Sequence, residues 1–322
     1  METADIEWVL ERKHPRVFPY FKDRYALLLL AWAADEGESV RALKQGRFSA
    51  LFDKPVVKDV AARAPQLTRD LLLGVSAPSV EHYRITLGRW GARRVGEWRP
   101  AAFQTTRPGE NLVLQLNFPR SHHRPCFGLV APYPRDRLWD EHPWICAGHP
   151  VARHELTLAW ARIDVAFDSS EALIEEIQSD WVRNALAEAR ELASLRPEEL
   201  SHAELFGFPS HVGVYHVLSY VEHVLAPHTR MWAEATLAAA LWYLREVLQI
   251  RRVFYNTYET GTYLKDLDDQ TYRPPRSLYT DLPRRFCFRR TSERPAALSR
   301  CRHPLVRKKL QRTDLEWFLL EL

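Results

Sequence analysis

"IEEIQSDW", residues 174–181, decides how this chain is read. It opens like a strand and then fills with acids and an amide. At the two-residue period of a strand, Ile174, Glu176, Gln178 and Asp180 fall on one face, and Leu173, Glu175, Ile177 and Ser179 on the other. A carboxylate on a central strand is costly unless it is paired or used. The polar face is therefore the first place to look for chemistry. Asp180 also stands at the N-cap position of the next helix, where Val182, Leu186, Ala189 and Ala193 recur at helical spacing, so capping competes with function there.

Working outward, "HELTLAWARIDVAF" (154–167) and "EALIEEIQSD" (171–180) flank "DSS" and predict a hairpin. "EHYRITLGRW" (81–90) and "ENLVLQLNF" (110–118) alternate as strands around the turn "RPGEN". The Pro- and His-rich stretch 119–150 reads as loop. Residues 1–78 read as a helical N-terminal module, with "YALLLLAWAA" (25–34) a buried core helix. Toward the C-terminus, Thr229 caps a long helix striped by Leu237, Leu241, Leu244 and Leu248. "RRVFYN" then reads as a strand, "TGTYLKDL" as a short helix, and "RRFCFRR" and "EWFLLEL" as late strands. The expectation is an α+β chain: the helical module, then a mixed, mostly antiparallel sheet flanked by helices over 79–322, with an insertion near 185–228.

Composition narrows the class. The 322 residues are 46% hydrophobic and 27% charged, with 11 Trp, which excludes dominant disorder. No apolar run reaches the length of about 18 residues that a membrane helix needs. The acidic start "METADIEW" lacks signal-peptide character, so the expected location is the cytoplasm. Four Cys are too few and too scattered for a disulfide framework. With only 12 Gly there is no phosphate-binding GxxxxGK, no Rossmann glycine pattern, no nucleophile elbow and no HExxH.

The C-terminal order of strand, hairpin, strand, long helix, strand, short helix, strand, strand resembles the GNAT acyltransferase superfamily. The most specific match is "NTYETGTYLKDL" (256–267), in which Asn256 precedes Tyr263 by the seven residues common in that superfamily. The segments "IEEIQSDW", "WAE" (232–234) and "LYTDLPRRF" (278–286) are also similar to uncharacterised EIQSDW-containing domains of phage and mobile-element proteins. The GNAT resemblance implies transfer of an acyl or aminoacyl group to an amine, with acyl-CoA or an aminoacyl-tRNA as donor. It implies Tyr263 as the acid for the leaving group, and Asn256, Gln178, Thr229 and Arg230 as candidate cofactor-binding residues. Glu176 is then the candidate base, assisted by Asp180, and Gln178 orients a substrate amide. The GNAT pyrophosphate loop has no counterpart after Trp181. The helix start at Thr229 and Arg230 is the remaining candidate for phosphate.

Two other clusters bear on partners. His123, Cys126, His142, Cys146 and His149 have roughly zinc-like spacing, but no CxxC occurs and loop packing is the favoured role. Packing is likewise favoured for His211, His216, His223 and His228. The stretch 284–312 carries eleven Lys and Arg, from Arg284 to Arg312, against one acid, Glu293, in a chain of net charge +4. It is a candidate phosphate footprint for nucleic acid, with Phe286 and Phe288 interleaved. The alternative to a transferase is therefore a non-catalytic module that binds nucleic acid or protein. A metal-dependent nuclease built on Glu176, Asp180 and histidines is a weaker third reading.

Overall fold

The computed structural model describes residues 1–34, 37–91, 105–130, 142–146, 148–200, 205, 207–208, 211–267 and 274–322. Among them, eight strands form one sheet: β1 Val17–Tyr20, β2 Glu81–Trp90, β3 Asn111–Asn117, β4 Thr157–Ala166, β5 Glu171–Gln178, β6 Arg252–Asn256, β7 Arg289–Thr291 and β8 Trp317–Glu321. Their order across the sheet is β1-β2-β3-β4-β5-β6-β8-β7. The principal helices are α1 Thr3–Glu11, α2 Arg24–Ala33, α3 Arg120–Val130, α4 Asp180–Ser194, α5 Trp232–Trp242, α6 Tyr258–Leu264, α7 Ala296–Ser299 and α8 Pro304–Lys309. The chain is α+β, as its patterning predicts.

Neighbouring strands are antiparallel with one exception. β5 and β6 run parallel, from Glu171 opposite Arg252 to Ile174 opposite Tyr255. A parallel pair cannot close through a tight turn, so the chain crosses over through α4 and a long helical run that contains α5.

α5 is apolar all round, and Glu234 to Leu241 are all buried. A helix of that kind needs cover on both sides. It lies between the sheet, at β4 and β5, and α2, whose "YALLLLAW" is buried throughout. The described residues of 1–78 hold five α-helices and also supply β1, which pairs with β2, so their core is continuous with that of the sheet. The opposite sheet face is covered by a smaller core, in which Leu173, Phe254, Trp317 and Leu319 meet Leu264 of α6, Leu298 of α7 and Val306 of α8.

Several local expectations change. The stretch 119–150 is not all loop, because α3 forms across Pro125. "RRFCFRR" is not a continuous strand. Asp281–Arg285 is helical, Cys287 takes a positive φ of 61°, and only Arg289–Thr291 pairs in the sheet. Phe286 and Phe288 turn into the core. Thr229 ends a short helix and bonds back to the Ala226 carbonyl, so it does not cap α5.

Candidate active site

The register between β4 and β5 slips by one residue. Arg162 faces Glu176, whereas Ile163 faces Ile174, which leaves Glu175 as the extra residue of a β-bulge. The bulge breaks the alternation expected for 174–180. Ile174 joins Ile177 in the core beneath α5. Glu176 and Gln178 pair across from Arg162 and Trp160, on the face that Leu173 also occupies.

The bulge also ends the parallel ladder. Pairing of β5 with β6 stops at Ile174 and Tyr255, and beyond it this edge of β5 has no strand partner among the described residues. The Glu175 carbonyl is instead held by Asn256 Nδ2 at the end of β6, at 3.3 Å, and by Lys265 Nζ just past α6, at 2.8 Å. Its carboxylate accepts the Thr106 N–H at 3.1 Å. Thr257 caps α6 through its side chain. Gly261 lets that helix sit close, since a Cβ there would lie 3.2 Å from Asn256 Cβ.

Glu176 is buried and forms ion pairs with Arg162 and, at 3.4 Å, with Lys265. Burial alone would raise its pKa. The Arg162 and Lys265 charges outweigh burial and bring it down to about 2. The same burial lowers Lys265, against the pull of Glu176. Arg162 lies over the rings of Trp90 (5.3 Å) and Trp160 (5.8 Å). Glu176 is thus a fixed carboxylate with very low basicity.

The imidazole at this site is His149. Its Nδ1 lies 2.7 Å from Asp180 Oδ2. Asp180 also accepts Gln178 Nε2 and Arg183 at 2.6 Å each, through Oδ1. Burial opposes ionisation of Asp180, but the bonds from His149 and Gln178 and the Arg183 charge hold its pKa below the usual value. A carboxylate on Nδ1 fixes the tautomer that leaves Nε2 as the acceptor. Asp180 is not the helix cap, since Ser179 Oγ accepts the Val182 N–H in that role. This frees Asp180, at the first position of α4, to orient the imidazole.

A cavity of about 460 Å³ joins these groups. His149, Glu176, Gln178 and Ser179 form its polar end, and Val182, Leu186, Trp232, Leu267, Pro274 and Leu278 line much of the rest. The other expected residues lie elsewhere. Tyr263 packs beneath Arg312, 4.5 Å from the guanidinium to the ring, and does not line the cavity. Arg230 is exposed. Asn256 supports the bulge from behind.

The helix starts here are occupied by acids. α4 has Asp180 at its start. Glu234, in the first turn of α5, is buried and accepts Lys22 Nζ, the Asp23 N–H and Arg285.

His122, His142 and His228 are buried among aromatic rings. Burial takes His142 to about 3 and His228 to about 4. Burial, reinforced by neighbouring histidines, pushes His122 well down. All three pack with Phe118, Trp144, Trp181 or Tyr220. His211, His216 and His223 are exposed. Among the described residues, no group of three or more His, Cys, Asp or Glu is placed to hold a metal ion.

In the stretch 284–312, Arg285, Arg289, Arg290, Arg300, Lys309 and Arg312 are paired with acids. The buried Phe286 and Phe288 offer no stacking face.

His149 entered the sequence reading only as the end of a zinc-like spacing. Its partner lies 31 residues away, and no local signal joins them. In comparisons with known proteins, no family model, no curated protein and no solved structure matches this chain.

Proposed function

We propose that this chain is a GNAT-like transferase, moving an acyl or aminoacyl group from a thioester or ester donor to an amine. The observation that carries the reading is the position of the cavity. It opens where the single parallel strand pair separates, at the carboxyl end of β5, beside a strand edge left without a strand partner among the described residues. In open parallel sheets ligands bind in the crevice at the carboxyl ends of the strands, and the one parallel pair here offers that arrangement locally.

His149 acts as the base in this reading. Its Nε2 takes the amine proton as the nitrogen attacks the donor carbonyl. The C–N bond forms, the C–S or C–O bond breaks, and the imidazolium returns the proton to the departing thiolate or alkoxide. Asp180 orients the ring and stabilises its charge. Glu176 keeps Arg162 and Lys265 in place. The acids at the starts of α4 and α5 leave no open backbone cradle there for a diphosphate, so side chains must hold the donor's carrier.

The test is product formation, read by mass spectrometry, from acetyl-CoA and from aminoacyl-tRNA with a panel of amines. No product from either donor, together with no thermal stabilisation by either, would sink the reading. His149→Gln should lower turnover about 100-fold or more with the fold intact.

A second reading, a nucleic-acid- or protein-binding module of a mobile-element or defence system, has one observation in its favour. Exposed Arg294 and Arg307 line a 290 Å³ pocket with Ser299 and Gln311, and Arg302 and Lys308 are exposed nearby.

A further inference from the structure

The α4 wall of the cavity is a single stripe, Ser179, Val182, Arg183, Leu186 and Arg190, spaced to share one helix face. It runs from the His149–Asp180 pair outward. At the rise of an α-helix, Arg190 lies about 15 Å along the axis from Asp180. The charge of Arg183 is committed to Asp180. Arg190 is exposed, lines the cavity and has no ion-pair partner among the described residues. Between the two ends the walls are apolar, with Val182 and Leu186 joined by Trp232 and Leu278. A slot with proton-transfer groups at one end, an apolar middle and a lone guanidinium at the other suits an elongated ligand with an anionic far end.

We propose that Arg190 determines donor specificity by binding a phosphate on the carrier arm, about 15 Å from the reacting carbonyl. This rests on the transferase reading. It places phosphate recognition on a side chain rather than at a helix start, because Asp180 and Glu234 occupy those starts.

The experiment is calorimetric titration of the full chain with S-acetyl-pantetheine and with S-acetyl-4′-phosphopantetheine. The wild type should bind the phosphorylated compound about tenfold or more tightly, as expected for one charge-assisted contact. Arg190→Ala should reduce that preference to about twofold or less and leave affinity for the uncharged compound unchanged. Arg190→Lys should retain part of it. Equal binding of both compounds by the wild type, or full preference in Arg190→Ala, overturns the role of Arg190 and leaves the transferase reading standing. Binding of neither compound overturns both this proposal and the thioester form of that reading.

Discussion

Among single residues, Glu176 was expected as the base, but it is locked between two cations, and the proposed mechanism gives the base role to His149. The Glu176 carboxylate is held down to about 2 by Arg162 and Lys265, against the opposing effect of burial. At neutral pH it is a poor proton acceptor. Glu176→Gln leaves two buried cations without their counter-charge, a change that costs on the order of 3–5 kcal/mol. Urea unfolding should report that loss, and a stability unchanged within error would remove the buried triad as a structural element. Because the folded pKa lies below the ordinary 4.5, the stabilisation from Glu176 is fully present above about pH 4.5 and is lost as pH falls through about 2. Asp180→Asn tests the His149 pair separately. It should lower kcat strongly and cost less stability than Glu176→Gln, because the cation partner of Asp180, Arg183, is itself partly exposed.

At the scale of elements, the bulge in β5 and the tight seat of α6 make one unit. Glu175 is the extra residue, and Asn256 and Lys265 cap the carbonyl it exposes. Gly261 permits the approach. Gly261→Ala pushes a methyl to 3.2 Å from Asn256 Cβ, so α6 must shift. The expected cost is about 1–3 kcal/mol by thermal unfolding, with a disproportionate loss of ligand binding in the cavity. A neutral or stabilising effect would show that α6 accommodates the methyl freely. The strand pattern, the buried α2 and the leucine stripe behind β4 and β5 were all legible, since period and burial are written in consecutive residues. The bulge was not, because an extra residue is defined only against the partner strand. A strict period of two therefore put Ile174 and Glu176 on one face, whereas the register puts them on opposite faces.

For the whole molecule, stability and surface charge both carry tests. His122, His142 and His228 are buried within one aromatic cluster, with His142 held to about 3 and His228 to about 4 against an ordinary 6.5. The unfolded chain therefore takes up protons first as pH drops below about 6.5. Stability present above that value is lost progressively toward pH 4 and 3. Melting temperature should begin to fall near pH 6.5, before most carboxylates titrate, and the fall should be shallower in His142→Gln. An identical pH profile in that variant would exclude His142 as a contributor. The basic stretch makes a separate prediction. Six of its cations are already paired, so any nucleic-acid binding should show a shallow salt dependence, set by the few that remain, such as Arg294, Arg302, Arg307 and Lys308. A steep slope would favour the binding-module reading over the transferase.

The sequence by itself determined the class of each segment: where strands alternate, where helices stripe, and that polar groups crowd one strand. These follow from spacing along the chain and from the cost of burying polar groups. Tertiary structure alone decided which polar groups meet. Asp180 is joined to His149 across 31 residues, and Glu176 to Lys265 across 89. Such contacts depend on register and crossover, which no local pattern encodes. The physical reason is that a carboxylate's basicity is set by the charges folded around it. In "IEEIQSDW" that makes Glu176 an anchor and Asp180 the partner of a histidine.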